Sequence, residues 1–332
     1  MKMMPDELDL LLISELREDC RMTYKDIAKK TDSNINTIAS RIKRLEREGY
    51  IIGYSAHIDY ERIGYRTAAF LRVMLNDAKS LTQSALSDIV SMPEVMVAYR
   101  MTGNYDVNLA MRARDFDTLL HRISEIGSDR NVIKLKSEFI VKEYMSLEDF
   151  NPFGKRLAQP NQFKERKKRI DGLDLAILRE LRSNANRPLI ELSKIVRAPI
   201  STVKERSDRM AREGIIRKFV ALVDFRKLGY TAFSGISIKL DSDRMNDPSI
   251  ISSILNIPDV GTLYRILGSY DLFAGVITKN TDGSFEALKR ISSIPGVKRT
   301  EQQISLSVLK SRSQFNPLSG HVKAKEKIGD NA

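Results

Sequence analysis

Asn36, Thr37, Ser40, Arg41, Arg44 and Arg47 fall on or near one face of a helix-spaced segment, residues 34–48, and Ile35, Ile38, Ile42 and Leu45 form the opposite apolar stripe. Hydroxyl, amide and guanidinium groups ordered in this way can donate to phosphates and to base edges in the major groove of a duplex. The pattern returns 165 positions later with Ser201, Thr202, Lys204, Glu205, Arg206, Arg209 and Arg212 opposite Ile200, Val203 and Met210. Glu205 can accept from a cytosine amino group, whereas its counterpart Ser40 reads less selectively, so two unlike half-sites are compatible with the sequence. A surface helix with exposed pairs such as Arg44 with Glu48 or Arg209 with Glu213 is the plain alternative. Its recurrence in a basic chain favours the nucleic-acid reading.

Other chemistries lack their residues. There is no His-Glu-x-x-His, no phosphate-cradling glycine loop ending in Lys-Ser/Thr, and no Gly-x-Ser-x-Gly elbow. Asp241, Asp243 and Asp247 lack the glycine and terminal glutamate of a calcium loop, and a helix-capping loop explains them better. Cys20 is the single cysteine, which excludes an intrachain disulfide and a cysteine-based zinc site. No metal and no cofactor are expected.

The elements that must carry these residues follow from the internal repeat. Leu8-Asp9-Leu10 matches Leu173-Asp174-Leu175, Gly49 matches Gly214, and Tyr105-Asp106 matches Tyr270-Asp271, all without a gap. A unit this long is a duplicated domain pair, large enough to bury its own core. An acidic first turn opens a helix at about residues 6–17, Thr23 starts a short second helix through Lys30, and Asn34 caps the third. Three short helices ending in a β-rich stretch, Tyr50 to Tyr54, describe a winged helix-turn-helix. From Thr67 the order is strand, helix (80–90), strand, strand, helix, strand (133–141), a ferredoxin-like βαββαβ whose open face needs a second sheet.

The fold class is therefore α+β, with two winged helix-turn-helix domains each followed by a ferredoxin-like βαββαβ domain. The expected boundaries are 1–60 and 170–225 for the helical units, and 61–150 and 226–318 for the βαββαβ units. A basic linker spans 151–169, and 319–332 form a polar tail. Net charge of +12 favours a polyanionic partner, here double-stranded DNA. The acidic start and the short apolar runs suggest neither a signal peptide nor a membrane span, so the chain is read as cytoplasmic with no membrane partner.

The segment 41–52, Pro93-Glu94-Val95 and the turn 102–106 resemble the Lrp/AsnC family of transcription regulators, across about residues 6–141 and 171–308. Family members usually have one copy per chain, so the fusion is a departure. The resemblance implies a transcription regulator rather than an enzyme, a sandwich of two sensor sheets, assembly into a homo-oligomer, and a small effector, commonly an amino acid, bound between sensor domains. Carried over, the effector turn is Thr102, Gly103, Asn104, Tyr105 and Asp106, and in the second copy Leu267, Gly268, Ser269, Tyr270 and Asp271. Backbone N–H groups at such a turn can hold a carboxylate and the aspartate an α-ammonium. The glycines equally suit a hairpin with positive φ, and the aspartates can simply tie the turn. Leu267 replaces Thr102, so the two pockets need not share specificity. Paired modules of this kind also occur in sirohaem decarboxylases, which makes a tetrapyrrole enzyme the alternative. His57, His121 and His321 do not recur at the repeat offset, although Arg100 and Arg265 do.

Overall fold

The computed structural model describes residues 4–76, 86–154 and 170–311. Helix α1 (Glu7–Glu18) opens on a capping box in which the Asp6 and Asp9 carboxylates each accept from the other's backbone N–H at 3.0 Å. Thr23 caps α2 (Tyr24–Lys30) and Asn34 caps α3 (Ile35–Arg47), where their short polar side chains can satisfy free helix N–H groups. Gly49, at φ +71°, ends the third helix.

Strand β1 (Ile51–Ile58) follows. The sequence places this stretch as the wing of its own unit, but its partner strand lies in the other copy. There α6 (Gly172–Ser183), α7 (Leu189–Val196) and α8 (Ile200–Arg212) repeat the helical trio before β6 (Ile216–Val223). The two strands pair antiparallel, with Tyr54 opposite Ala221 and Ala56 opposite Phe219. Ala56 and Ile58 pack among Ile177, Leu181, Val203 and Met210, while Ala221 and Val223 pack among Leu12, Leu16, Ile38 and Leu45. Full burial of an Ile, Leu or Val contributes about 1.5–3 kcal/mol, so neither trio keeps its core without the other repeat's strand.

The first βαββαβ unit comprises β2 (Thr67–Leu75), α4 (Ser87–Ser91), β3 (Val95–Met101), β4 (Val107–Ala113), α5 (Phe116–Gly127) and β5 (Val132–Met145). The second comprises β7 (Ala232–Leu240), α9 (Pro248–Leu255), β8 (Val260–Leu267), β9 (Leu272–Thr278), α10 (Thr281–Ser292) and β10 (Val297–Lys310). Strand orders β3-β4-β2-β5 and β8-β9-β7-β10 are ferredoxin-like, and the β5–β8 and β10–β3 pairings join the two sheets into one closed antiparallel barrel. The repeats therefore pair within one chain. Strand β5 outruns its expected end, and β10 is equally long, because each serves two sheets. Residues 132–139 of β5 pair with β2 and residues 139–145 with β8. Part of the helix expected at 80–90 lies outside the described residues, as do 155–169 of the linker and the whole tail. The linker's first residues are packed, with Asn151 Nδ2 donating to Ser14 O at 3.1 Å.

Two buried arginines organise this frame. Arg17 Nε donates to Phe150 O (3.0 Å), Nη1 to Ala221 O (3.2 Å), and Nη2 to Leu147 O (2.8 Å) and Glu148 O (3.0 Å). It thereby joins α1 to the 3₁₀ turn Leu147–Asp149 after β5 and to the exchanged strand β6. In the barrel interior Arg72 bridges Glu138 and Glu301, both at 3.1 Å, and donates to Ser237 Oγ. Ser237 is its counterpart in the second repeat. Pairing two first repeats would instead set Arg72 against Arg72, which like-charge repulsion in a desolvated interior opposes.

His57 lies on β1 where the ribbon meets the barrel, fully buried, with Nε2 3.2 Å from Ser146 Oγ. Burial pushes its pKa down, against the pull of Asp149, Glu148 and Glu143 and with the help of Arg217. The folded protein therefore binds fewer protons at this site than the unfolded chain, whose histidine titrates near 6.5. Stability contributed here is present above pH 6.5 and is lost as pH falls below it. His57→Gln is expected to flatten the drop in urea midpoint between pH 7.5 and pH 5.5; an unchanged drop places the titration elsewhere.

Candidate nucleic-acid interface and sensor sites

Helix α3 buries Ile38, Ile42 and Leu45 at 0–1% exposure and leaves Asn36, Thr37, Ser40, Lys43 and Arg47 exposed. Ile35 does not join the apolar stripe: it is 47% exposed at the first turn, and Ile200 is 44% exposed at the equivalent place. Their recurrence on the surface puts a methyl-bearing side chain beside the polar reading positions, where it can contact a thymine methyl. In α8, Ser201, Lys204, Glu205 and Arg212 are exposed and Thr202 is half-buried.

The arginines divide into two groups. Arg41 donates to both Asp6 oxygens (2.6 and 2.7 Å) and to Asp9 Oδ1 (3.0 Å), and Arg44 is hydrogen-bonded to Asp9 Oδ2 rather than paired with Glu48. The copy is close: Arg206 donates to both Asp171 oxygens (2.6 and 2.7 Å) and to Asp174 (3.1 Å), and Arg209 donates to Asp174 (2.6 Å), not to Glu213. Asp9 and Asp174 are buried to 0–1% exposure, so these bonds fasten each reading helix to the first helix of its trio. The Arg41 hydrogen bonds also hold the Asp6 carboxyl below its usual range. Arg47 and Arg212 stand free of such ties among the described residues. The recurring Asp-x-x-Asp at residues 6–9 and 171–174 is the sequence signal for this arrangement.

The two glycine turns lie at the seams of the barrel. Thr102 Oγ1 accepts from Ile304 N at 3.1 Å, and Gly103 has φ +99° with Asn104 exposed beside it. Gly268, by contrast, has no positive φ; its role is close approach, because a Cβ there would meet Glu138 Cγ at 2.8 Å. Asp106 Oδ2 accepts from Leu75 N and Asp271 Oδ2 from Leu240 N, both at 2.8 Å, so each aspartate ties its turn to the neighbouring strand. Asp271 is buried, with Lys239 Nζ at 3.1 Å, and Tyr270 donates to Glu301, whereas Ser269 is exposed and Tyr105 half-buried.

Sequence reasoning did not reveal the barrel interior. It holds a cavity lined from both repeats by Phe70, Tyr99, Phe233, Tyr264 and Phe273 with Arg72, Asn108 and Glu138. Tyr99 stacks on Phe233 at 4.6 Å and Phe70 lies 4.4 Å from Phe273. Leu147, whose carbonyl accepts from Arg17, also lines this space. Tyr99 and Tyr264 recur at the repeat offset, but the polar group at the centre does not, because Arg72 and Phe70 become Ser237 and Gly235. Among the described residues no His/Cys/Asp/Glu group could hold a metal ion, and no helix is long and apolar enough to cross a membrane. Of the residues weighed for an enzyme, Arg265 Nε is 3.4 Å from Tyr144 Oη and its other end meets Met245 O, contacts that position β8.

Exposed third helices on a paired body, with two sheets closed beneath them, define a tandem helix-turn-helix protein with sensor-type βαββαβ domains. A winged helix-turn-helix DNA-binding model matches residues 5–52 and 170–217, and the Lrp/AsnC ligand binding domain model matches residues 68–148 and 231–315. The chain belongs to the Lrp/AsnC family of transcription regulators. The HTH-type transcriptional regulator FL11 of Pyrococcus horikoshii is 31% identical over 146 residues, 44% of this chain and 95% of that protein. An uncharacterised HTH-type transcriptional regulator of the same organism is 33% identical over 146 residues, 44% of this chain and 91% of its own. Among solved structures the siroheme decarboxylase NirDL covers 97% of this chain and 100% of its own at 15% identity, with a TM-score of 0.65, a likeness of fold. E. coli AsnC covers 42% of this chain and 94% of its own at 26% identity, with a TM-score of 0.40. The sequence relatives are DNA-binding regulators rather than enzymes, and the family's domains are those for DNA and for a small ligand.

Proposed function

We propose that one chain acts as the equivalent of a two-subunit regulator, laying α3 and α8 into neighbouring major grooves of one duplex, with half-sites about 34 Å apart or a multiple of that. The carrying observation is that exposed Asn36, Thr37 and Ser40 on α3, and Ser201, Lys204 and Glu205 on α8, belong to helical trios joined by the β1–β6 ribbon. A small effector, with an amino acid as the first class to test, would bind at the glycine turns 102–106 and 267–271 and bias the disposition of the trios. Such coupling is usually on the order of 1–3 kcal/mol. The effector turns, further assembly of chains into a homo-oligomer, and a cytoplasmic setting are parts of this reading that rest on family likeness.

Arg41 and Arg44 are poor test sites because their loss also loosens α3 from α1. Lys43 and Arg47, exposed on the same helix, separate the effects. Lys43→Ala/Arg47→Ala is expected to weaken binding on every duplex and to lower the slope of log affinity against log salt by about two, with the thermal midpoint unchanged. An unaltered slope contradicts the placement of α3 on the phosphate backbone.

A further inference from the structure

The two helical trios are held alike and yet present different chemistry. The clasp from reading helix to first helix repeats nearly bond for bond, since Arg41 and Arg206 approach their aspartates at 2.6–2.7 Å and at 3.0 and 3.1 Å. Differences in the exposed side chains are therefore differences in what meets the partner, not in how the helix is set. On α2 and α3 the exposed charges are Lys25, Lys29, Lys30, Lys43 and Arg47 against Asp26 and Glu46, three more cations than anions. On α7 and α8 they are Lys194, Lys204 and Arg212 against Glu191, Glu205 and Asp208, a balance of zero. Three substitutions at the repeat offset remove four units of positive charge, of which the exchanges of Ala39 for Lys204, Ser40 for Glu205 and Glu46 for Ala211 together return one. Lys25 and Lys30 become Ile190 and Ile195, which are 60% and 40% exposed, and Lys43 becomes Asp208. Isoleucine makes no phosphate contact, and an exposed aspartate repels one. Arg21 of the first trio lies within the field of Asp208 and offsets part of that repulsion.

We infer that the operator is non-palindromic and that the two trios bind it unequally. The α2–α3 trio anchors the phosphate backbone, and the α7–α8 trio selects a half-site carrying a cytosine opposite Glu205. This deepens the duplex-binding reading and rests on it. Glu205 is exposed one turn into α8 and has no hydrogen bond or ion pair among the described residues, so its carboxylate is available to accept from a cytosine amino group. Asn36 in the first trio suits a bidentate contact with adenine, while its counterpart Ser201 accepts many partners. The half-sites thus differ in the base pairs they reward as well as in their share of the electrostatic attraction.

The test uses the full chain. Duplexes are selected from a random pool at about 0.15 M salt, sequenced, and then titrated with three variants. The selected sequence is expected to be non-palindromic. Glu205→Ala is expected to relax preference at one C·G pair by roughly five- to a hundredfold and leave the other half-site unchanged. Asp208→Lys is expected to tighten binding on all duplexes and steepen the salt slope by about one, and Lys43→Asp to do the reverse. All three positions are exposed, and a circular dichroism spectrum confirms that each variant folds. Palindromic selected sequences overturn the inference while leaving duplex binding intact, as does an unchanged base preference in Glu205→Ala. Recovery of no duplex above background overturns the duplex-binding reading itself, and the inference with it.

Discussion

Arg17→Met is expected to lower the unfolding free energy by about 3–5 kcal/mol. The guanidinium is 4% exposed and serves carbonyls in two distant stretches, Leu147 to Phe150 and Ala221. A thioether fills the space but donates nothing, so several buried acceptors lose their donors, at about 1–3 kcal/mol for each group left unsatisfied. Desolvation of the charge itself is relieved in the variant, which keeps the total well below the sum of those terms. Arg17→Lys is expected to recover less than half, because an ammonium cannot reproduce the planar fork that reaches both stretches. Urea denaturation of both variants measures this directly. A loss below about 1 kcal/mol for Arg17→Met would show that water replaces the guanidinium, and that α1 is not held to the barrel in this way.

Arg72→Met is the second large effect, also about 3–5 kcal/mol, and it isolates the barrel interior. Glu138 is 1% exposed and would keep only Lys136, at 3.3 Å, as a charged partner. Removing one member of a buried pair strands the other in a medium where an uncompensated charge is costly. Arg72→Met/Glu138→Gln is expected to be more stable than the single variant, because the amide needs hydrogen bonds but no counter-charge. A double variant no better than the single one would mean that Glu138 gains nothing from the guanidinium. Losses that simply add would carry the same message.

The element order was legible because one physical pattern occurs twice. Asp6 and Asp171 both precede helical spacing, Gly49 and Gly214 both follow it at φ near +70°, and the alternating strands fall at matching offsets. Pairing partners were not legible. Ile51 to Ile58 reads as a strand, but nothing in its side chains says that β6, 158 or more residues away, supplies the ladder. The full length of β5 is not legible for the same reason: its second half, like that of β10, is a strand only because another sheet borders it. For the reading helix, periodicity placed Arg41 and Arg47 near one face, yet a long side chain reaches several ångströms from its own position. Arg41 turns to Asp6 and Asp9 and Arg47 does not, a choice fixed by α1 packing across α3. The barrel interior was hidden most completely. Its decisive group, Arg72, is absent from the second repeat, and a search for recurrence looks past it.

Titration of the full chain into a labelled duplex carrying the selected sequence, beside a scrambled duplex of equal length at about 0.15 M salt, tests the central claim most directly. If the two clasped trios present α3 and α8 to one duplex, the selected sequence binds at least about a thousandfold more tightly than the scrambled one, with one chain-sized footprint covering both half-sites. Equal affinity for the two duplexes would contradict the account, leaving a basic surface that attracts phosphates without reading bases.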